Sequence, residues 1–270
     1  MKVGVFMNET ENLMNSIWFG EKSTLSQSEI KENLLKAVTE TEVILNLIEL
    51  YKIGDFTQTP LLIQLMNHTK DEAVLNLCIR VFLVIATHDD IRESNNLRFL
   101  GEGTEETINT FASAATTSLS LHIIPYLLAL LEEWDEISDT SLIIKDSIGS
   151  FLNFEEQIGE EATGAEIGDF YYKYCEEHDT GNYYFQENLA FPGDLAKKLV
   201  QRVMIAANNE EPLSMELIPS LLSIWSGEKA PGDYSTIISA SNYKDFIEYI
   251  NGLSMKNWEK GKKYFYGNKL

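Results

Sequence analysis

The sequence predicts an all-α protein: an irregular array of antiparallel helix pairs, with room for a small strand or hairpin insertion. Apolar residues recur at three- and four-residue spacing through most of the 270 residues. A helix start built from a proline and two branched aliphatics occurs three times, at Pro60-Leu61-Leu62, Pro125-Tyr126-Leu127-Leu128 and Pro219-Ser220-Leu221-Leu222. Proline suits the first helical turn because the amide it lacks would have had no partner there. The first two starts each lead through a polar turn into a second apolar helix, Ala73 to Ala86 and Leu142 to Leu152. Neither helix of such a pair can bury its apolar stripe alone, so pairs must stack.

Taken in order, Ser28 to Tyr51 reads as one helical run through Ile30, Leu34, Leu35, Val38, Val43, Leu47 and Leu50, ended by Gly54. Pro60 opens the next helix, and a longer one follows the polar break at Asn67 to Asp71. Asp89 and Asp90 are expected as caps or turn residues. Arg92 to Thr107, with Gly101 and Gly103, reads as an inserted loop. Asp179 to Asp194 holds Gly181, Asn182, Pro192 and Gly193 around aromatics and suggests a structured loop or short hairpin. Glu228 to Tyr234 reads as a turn region, and Gly267 to Leu270 as a frayed end. Val3, Val5 and Phe6 would suit a short strand, but no partner strand is evident. The offset of 65 residues from Pro60 to Pro125 exceeds one standard repeat, so an irregular array related in style to HEAT or armadillo folds fits better than a regular solenoid. A generic helical bundle is the alternative. One helical domain over residues 1–270 is expected, with a possible subdivision into 1–165 and 166–270.

Charge is unevenly spread. The formal net charge is −21. Between Glu132 and Glu187 stand sixteen acidic residues against Lys145 and Lys173 alone. From Phe170 to Phe191 eight aromatics interleave with those carboxylates: Phe170, Tyr171, Tyr172, Tyr174, Tyr183, Tyr184, Phe185 and Phe191. Aromatics supply buried contact area and carboxylates steer a cationic partner, so the segment suits a basic protein surface. The competing reading is an acidic solvated face with its aromatics turned inward. Trp134, flanked by Glu133, Asp135 and Glu136, is a second candidate anchor, or else closes its own helix pair. Tyr171, Tyr172 and Tyr174 cannot all face one way on a helix, so at least one is expected to meet solvent or a partner. The partner-binding set expected from sequence is Trp134, Glu136, Glu156, Glu161, Tyr171, Tyr172, Tyr174, Glu176, Glu177, Tyr183 and Tyr184.

The same charge argues against nucleic acid, whose binding rests on lysine and arginine meeting phosphate, and against anionic membranes. The four arginines, Arg80, Arg92, Arg98 and Arg202, form no cluster in sequence. No secretory leader is expected, because Asn8, Glu9, Glu11 and Asn12 interrupt the first apolar patch. Two distant cysteines, Cys78 and Cys175, suit a reduced cytoplasmic protein. No metal-ligand spacing joins His68, His88, His122 and His178. Cys175 and His178 form only an isolated fragment of one. Glu155, Glu156, Glu160 and Glu161 lack the spaced oxygens and glycine of a calcium loop. Neither a phosphate loop nor a nucleophile elbow is present. No catalytic residue, cofactor or metal is therefore expected.

In size, charge and helical style the whole chain is similar to bacterial immunity proteins that protect cells from polymorphic and contact-dependent toxins. That resemblance implies a non-enzymatic cytoplasmic protein that binds a cognate toxin domain and blocks it. Such toxins are often basic, which would account for an acidic aromatic face. No signature motif carries residue roles across. A helical scaffold or adaptor is the main alternative, and a metal-assisted hydrolase around Glu155 to His178 the second.

Overall fold

The computed structural model describes residues 21–134, 138–215 and 217–270. The suggested strand at Met1 to Phe6 lies outside them. The described residues are mainly helical, with two short antiparallel hairpins, and divide into two compact units that interleave in sequence.

The first unit takes residues 21–58, 192–259 and 264–269. Helix α1, Gln27–Lys36, and helix α2, Glu40–Lys52, pack together. Sequence periodicity ran these two into one, but the chain breaks at Ala37 to Thr39. Thr39 and Glu42 form a capping box there: the Glu42 amide donates to Thr39 Oγ1 at 3.1 Å, and the Thr39 amide donates to Glu42 Oε2 at 3.2 Å. Leu35 and Val38, which prolonged the apparent run, are 88 % and 87 % exposed. After α2, Asp55 collects Thr57, Gln27 and Lys31, whose ammonium lies 2.9 Å from Oδ2. These donors hold its carboxyl well below the usual range.

The other helices of this unit are α11, Pro192–Asn209, α12, Leu217–Ser226, and α13, Tyr243–Ser254; α11 packs on both α12 and α13. Trp225, Phe246 and Phe265 are fully buried in its core.

The second unit takes residues 59–191, 260–263 and 270. It contains both of the helix pairs expected from the proline starts. Helix α3, Thr59–His68, pairs with α4, Glu72–Ile85, and α7, Ile124–Glu133, pairs with α8, Asp139–Leu152. Between them in sequence come the short α5, His88–Arg92, a 3-10 stretch at Ser94–Glu102, and α6, Glu105–Ala115. The segment expected as a loop from Arg92 to Thr107 is thus largely helical. Glu93 and Thr104 start two of its pieces as N-caps. Helix α6 lies between α4 and α8, and α4 is buried along most of its length, from Val74 to Ile85. Helix α9, Phe154–Ile158, and helix α10, Gly164–Glu177, complete the helices of this unit.

Each hairpin follows a helix. Strands β1, Tyr184–Phe185, and β2, Asn188–Leu189, follow α10; strands β3, Tyr264–Phe265, and β4, Asn268–Lys269, follow α13. Both turn through two residues with positive φ, Gln186 and Glu187 in the first, Tyr266 and Gly267 in the second. Tyr-Phe-x-x-Asn is common to both, and the closing bonds correspond: Ala190 N to Tyr183 O at 2.8 Å, and Leu270 N to Lys263 O at 3.0 Å. The segment expected to fray at Gly267 to Leu270 is instead tied down. The Tyr266 and Gly267 amides each donate at 2.7 Å to the carbonyls of Ile224 and Trp225.

Candidate functional site

Helix α10 carries five of the residues the sequence singles out: Tyr171, Tyr172, Tyr174, Glu176 and Glu177. Thr163 caps it, with Glu166 Oε2 accepting the Thr163 amide at 2.8 Å. Ile167, Tyr171 and Tyr174 follow at helical spacing and are buried. Gly164 and Gly168 face Leu131 and Leu128 of α7, an antiparallel pairing. It sets the C-terminal end of α7, where Trp134 stands half-buried, beside the start of α10.

The tyrosines sort by this geometry. Tyr174 stacks on His178 at 3.8 Å between centroids, and Tyr184 meets the same imidazole edge-on at 5.9 Å. Tyr183 and Tyr184 flank the entry to β1 and are buried. Burial pushes the Tyr174 and Tyr183 hydroxyls up to about 12 and raises the Cys175 thiol. Of the five tyrosines expected to meet a partner, Tyr172 is open, at 70 % exposure, while Tyr171, Tyr174, Tyr183 and Tyr184 pack inside the unit.

Around Tyr172 the outward stripe of α10 is acidic. Asp169 lies one turn before it and Glu176 one turn after, with Lys173 and Glu177 alongside, all exposed. Among the described residues no ion pair holds Asp169, Glu176 or Glu177. Helix α9 packs beside α10 and adds Glu155 and Glu156, followed by Glu160 and Glu161, all in solvent. Asn153 Nδ2 donates to Glu156 at 2.8 Å. Glu136 lies outside the described residues.

A second cluster went unread in the sequence, because its members stand some thirty residues apart. His88 Nδ1 lies 2.8 Å from Ser120 Oγ, its ring stacks on Tyr183 at 4.0 Å, and His122 meets it edge-on at 5.3 Å. Arg92 Nη2 lies 2.7 Å from His122 Nε2. Burial first, then the cationic neighbours, lower His88 to about 4. Ser120 is fully buried, so its hydroxyl is a structural donor and acceptor with no substrate access. Among the described residues no group of three His, Cys, Asp or Glu side chains could hold a metal ion, and no helix is long and apolar enough to cross a membrane.

The class that the helical fold joins is that of the immunity proteins of toxin–antitoxin systems. The model of the family described as Immunity protein 47 (Imm47) matches residues 13–270, and the chain belongs to that family. Membership makes it a non-catalytic protein that neutralises a cognate toxin. No curated protein and no solved structure matches the chain.

Proposed function

We propose that the protein neutralises a basic toxin domain by docking it on the outward face of α10, with Tyr172 as anchor and the surrounding carboxylates as the steering field. The observation that carries this reading is Tyr172 itself. Its ring stands in solvent between Asp169 and Glu176 while the tyrosines at 171 and 174 are buried. An exposed tyrosine offers a large contact area, little side-chain entropy to lose and a hydroxyl for a hydrogen bond, which is why tyrosines recur at the energetic centres of interfaces. The net charge of −21 favours cationic partners over nucleic acid or anionic membranes.

The test begins with retention of the toxin domain on immobilised protein at low and then moderate salt, identified by mass spectrometry. Association of the purified pair is then timed by stopped flow. Glu156→Lys, Glu161→Lys, Glu176→Lys and Glu177→Lys combined should slow association by about tenfold at low salt, with the difference shrinking as salt rises. An unchanged association rate would remove α10 from the interface.

A further inference from the structure

A polar groove runs between α4 and α6. Glu72 and Arg80 stand two turns apart along one wall, with Asn76 midway between them on the same helix and bonded to Glu106, and Glu106, Asn109 and Ser113 follow at three- and four-residue spacing along the other. The hollow is about 580 Å³, and past Glu72 and Thr104 it continues into a second of about 320 Å³. Three buried polar atoms here have no protein partner: Arg80 Nε, Asn76 Oδ1 and Asn109 Oδ1. Among the described residues Arg80 makes neither an ion pair nor a hydrogen bond, an unusual state for a guanidinium in a protein with twice as many acidic as basic side chains.

The rim is acidic. Glu72 accepts from Thr104 at 3.3 Å, Glu106 accepts from Asn76 Nδ2 at 3.4 Å, and Glu105 accepts from Thr140 at 3.4 Å. These contacts leave most of the carboxylates' acceptor capacity open. A phosphate dianion would be repelled by three glutamates, whereas a single carboxylate accompanied by its own cation would satisfy both the fork and the rim. The two orphaned amide oxygens call for N–H donors on the same ligand. From Glu72 to Arg80 the wall spans about 12 Å of helix, room for about four residues of extended chain. An open trough of that length fits a peptide segment better than an enclosed small molecule.

We propose that this groove docks a segment of the partner polypeptide in which an aspartate or glutamate stands next to a lysine or arginine. The carboxylate lies in the Arg80 fork, and the cation lies against Glu72, Glu105 and Glu106. The site rests on the toxin-binding role of the family and is independent of the α10 face.

The experiment titrates the whole protein with acetyl-Lys-Asp-Lys-amide, following the Arg80 Nε–H resonance by NMR, assigned through its loss in Arg80→Lys. Acetyl-Lys-Asn-Lys-amide and acetate are the comparisons. The expected result is a saturable shift with the aspartate peptide, at least tenfold weaker binding of the asparagine peptide, and at least tenfold weakening by Glu106→Gln, whose side chain is exposed. Tyr172→Ala should leave the titration unchanged, which separates this site from the α10 reading. No saturable shift, or equal binding of the two peptides, would overturn the proposal. Acetate binding as tightly as the aspartate peptide would also overturn it, by reducing the groove to a simple anion site.

Discussion

Lys263 Nζ donates to the carbonyl of Leu83 at 2.7 Å, and 2.9 Å away to that of Ala86. Both acceptors stand at the C-terminal end of α4, where carbonyls have lost their intrahelical donors and the helix dipole is negative. The ammonium is fully buried, lies 5.7 Å over the ring of Tyr183, and is pushed well below its ordinary pKa by desolvation. Lys263→Met should therefore cost about 2–3 kcal/mol, because two buried acceptors lose their donor while the hydrocarbon volume stays. Urea unfolding measures it; a cost under about 0.5 kcal/mol would mean that water takes over both carbonyls.

Tyr171 and Tyr172 are adjacent in sequence and opposite in exposure. Tyr171→Ala should lower stability by about 3 kcal/mol through loss of a buried ring. Tyr172→Ala should leave unfolding within about 0.5 kcal/mol and weaken toxin binding about thirtyfold. Calorimetry of both variants, paired with denaturant curves, separates the two effects. Equal effects on both readouts would contradict the geometry.

The histidine cluster makes stability depend on pH in a stated direction. His88 titrates near 4 in the folded protein and near 6.5 unfolded, and His122 is lowered as well. His88 faces His122, Lys263 and Arg92, all disfavouring its charge. Above about pH 7 both states are neutral at this site, and nothing is lost. As pH falls from about 6.5 towards 4, the unfolded chain takes up the proton first, so stability declines across that window. The urea midpoint should fall between pH 7.5 and pH 5.0, and His88→Gln should flatten that fall. Parallel declines in both proteins would assign the effect elsewhere.

The first hairpin carries avoidable strain. Gln186 and Glu187 both occupy positive φ, 48° and 57°, where glycine and asparagine are at ease. Gln186→Asn combined with Glu187→Gly should stabilise the protein by about 1 kcal/mol, read as a higher melting temperature. A lower melting temperature would mean that the side chains at 186 and 187 contribute contacts worth more than the strain.

Helices α3 and α7 were legible because a proline start and an aliphatic period point to the same element, and α4 and α8 because an apolar run follows each of the first two across a polar turn. The break between α1 and α2 was not, since Leu35 and Val38 continue the apolar spacing while standing in solvent. Only the Thr39–Glu42 capping box marks it. The tyrosines of α10 were read by their density, whereas the spacing of Ile167, Tyr171 and Tyr174 already separates the inward face from Tyr172. The C-terminal hairpin was hidden by its polar composition. Its signal was the recurrence of Tyr184-Phe185 and Asn188 as Tyr264-Phe265 and Asn268. Arg80 offered no local signal, because the wall opposite it is supplied by residues about thirty positions later.

The bond from Lys263 to Leu83 joins residues 180 apart, which sets an order of events during translation. A ribosome delivers α4, a largely buried helix, long before it delivers the ammonium that completes that helix. Until residues 260–263 emerge, two carbonyls of α4 must make do with water. A nascent chain can assemble helix pairs early, yet its second unit reaches full strength only once this late segment arrives.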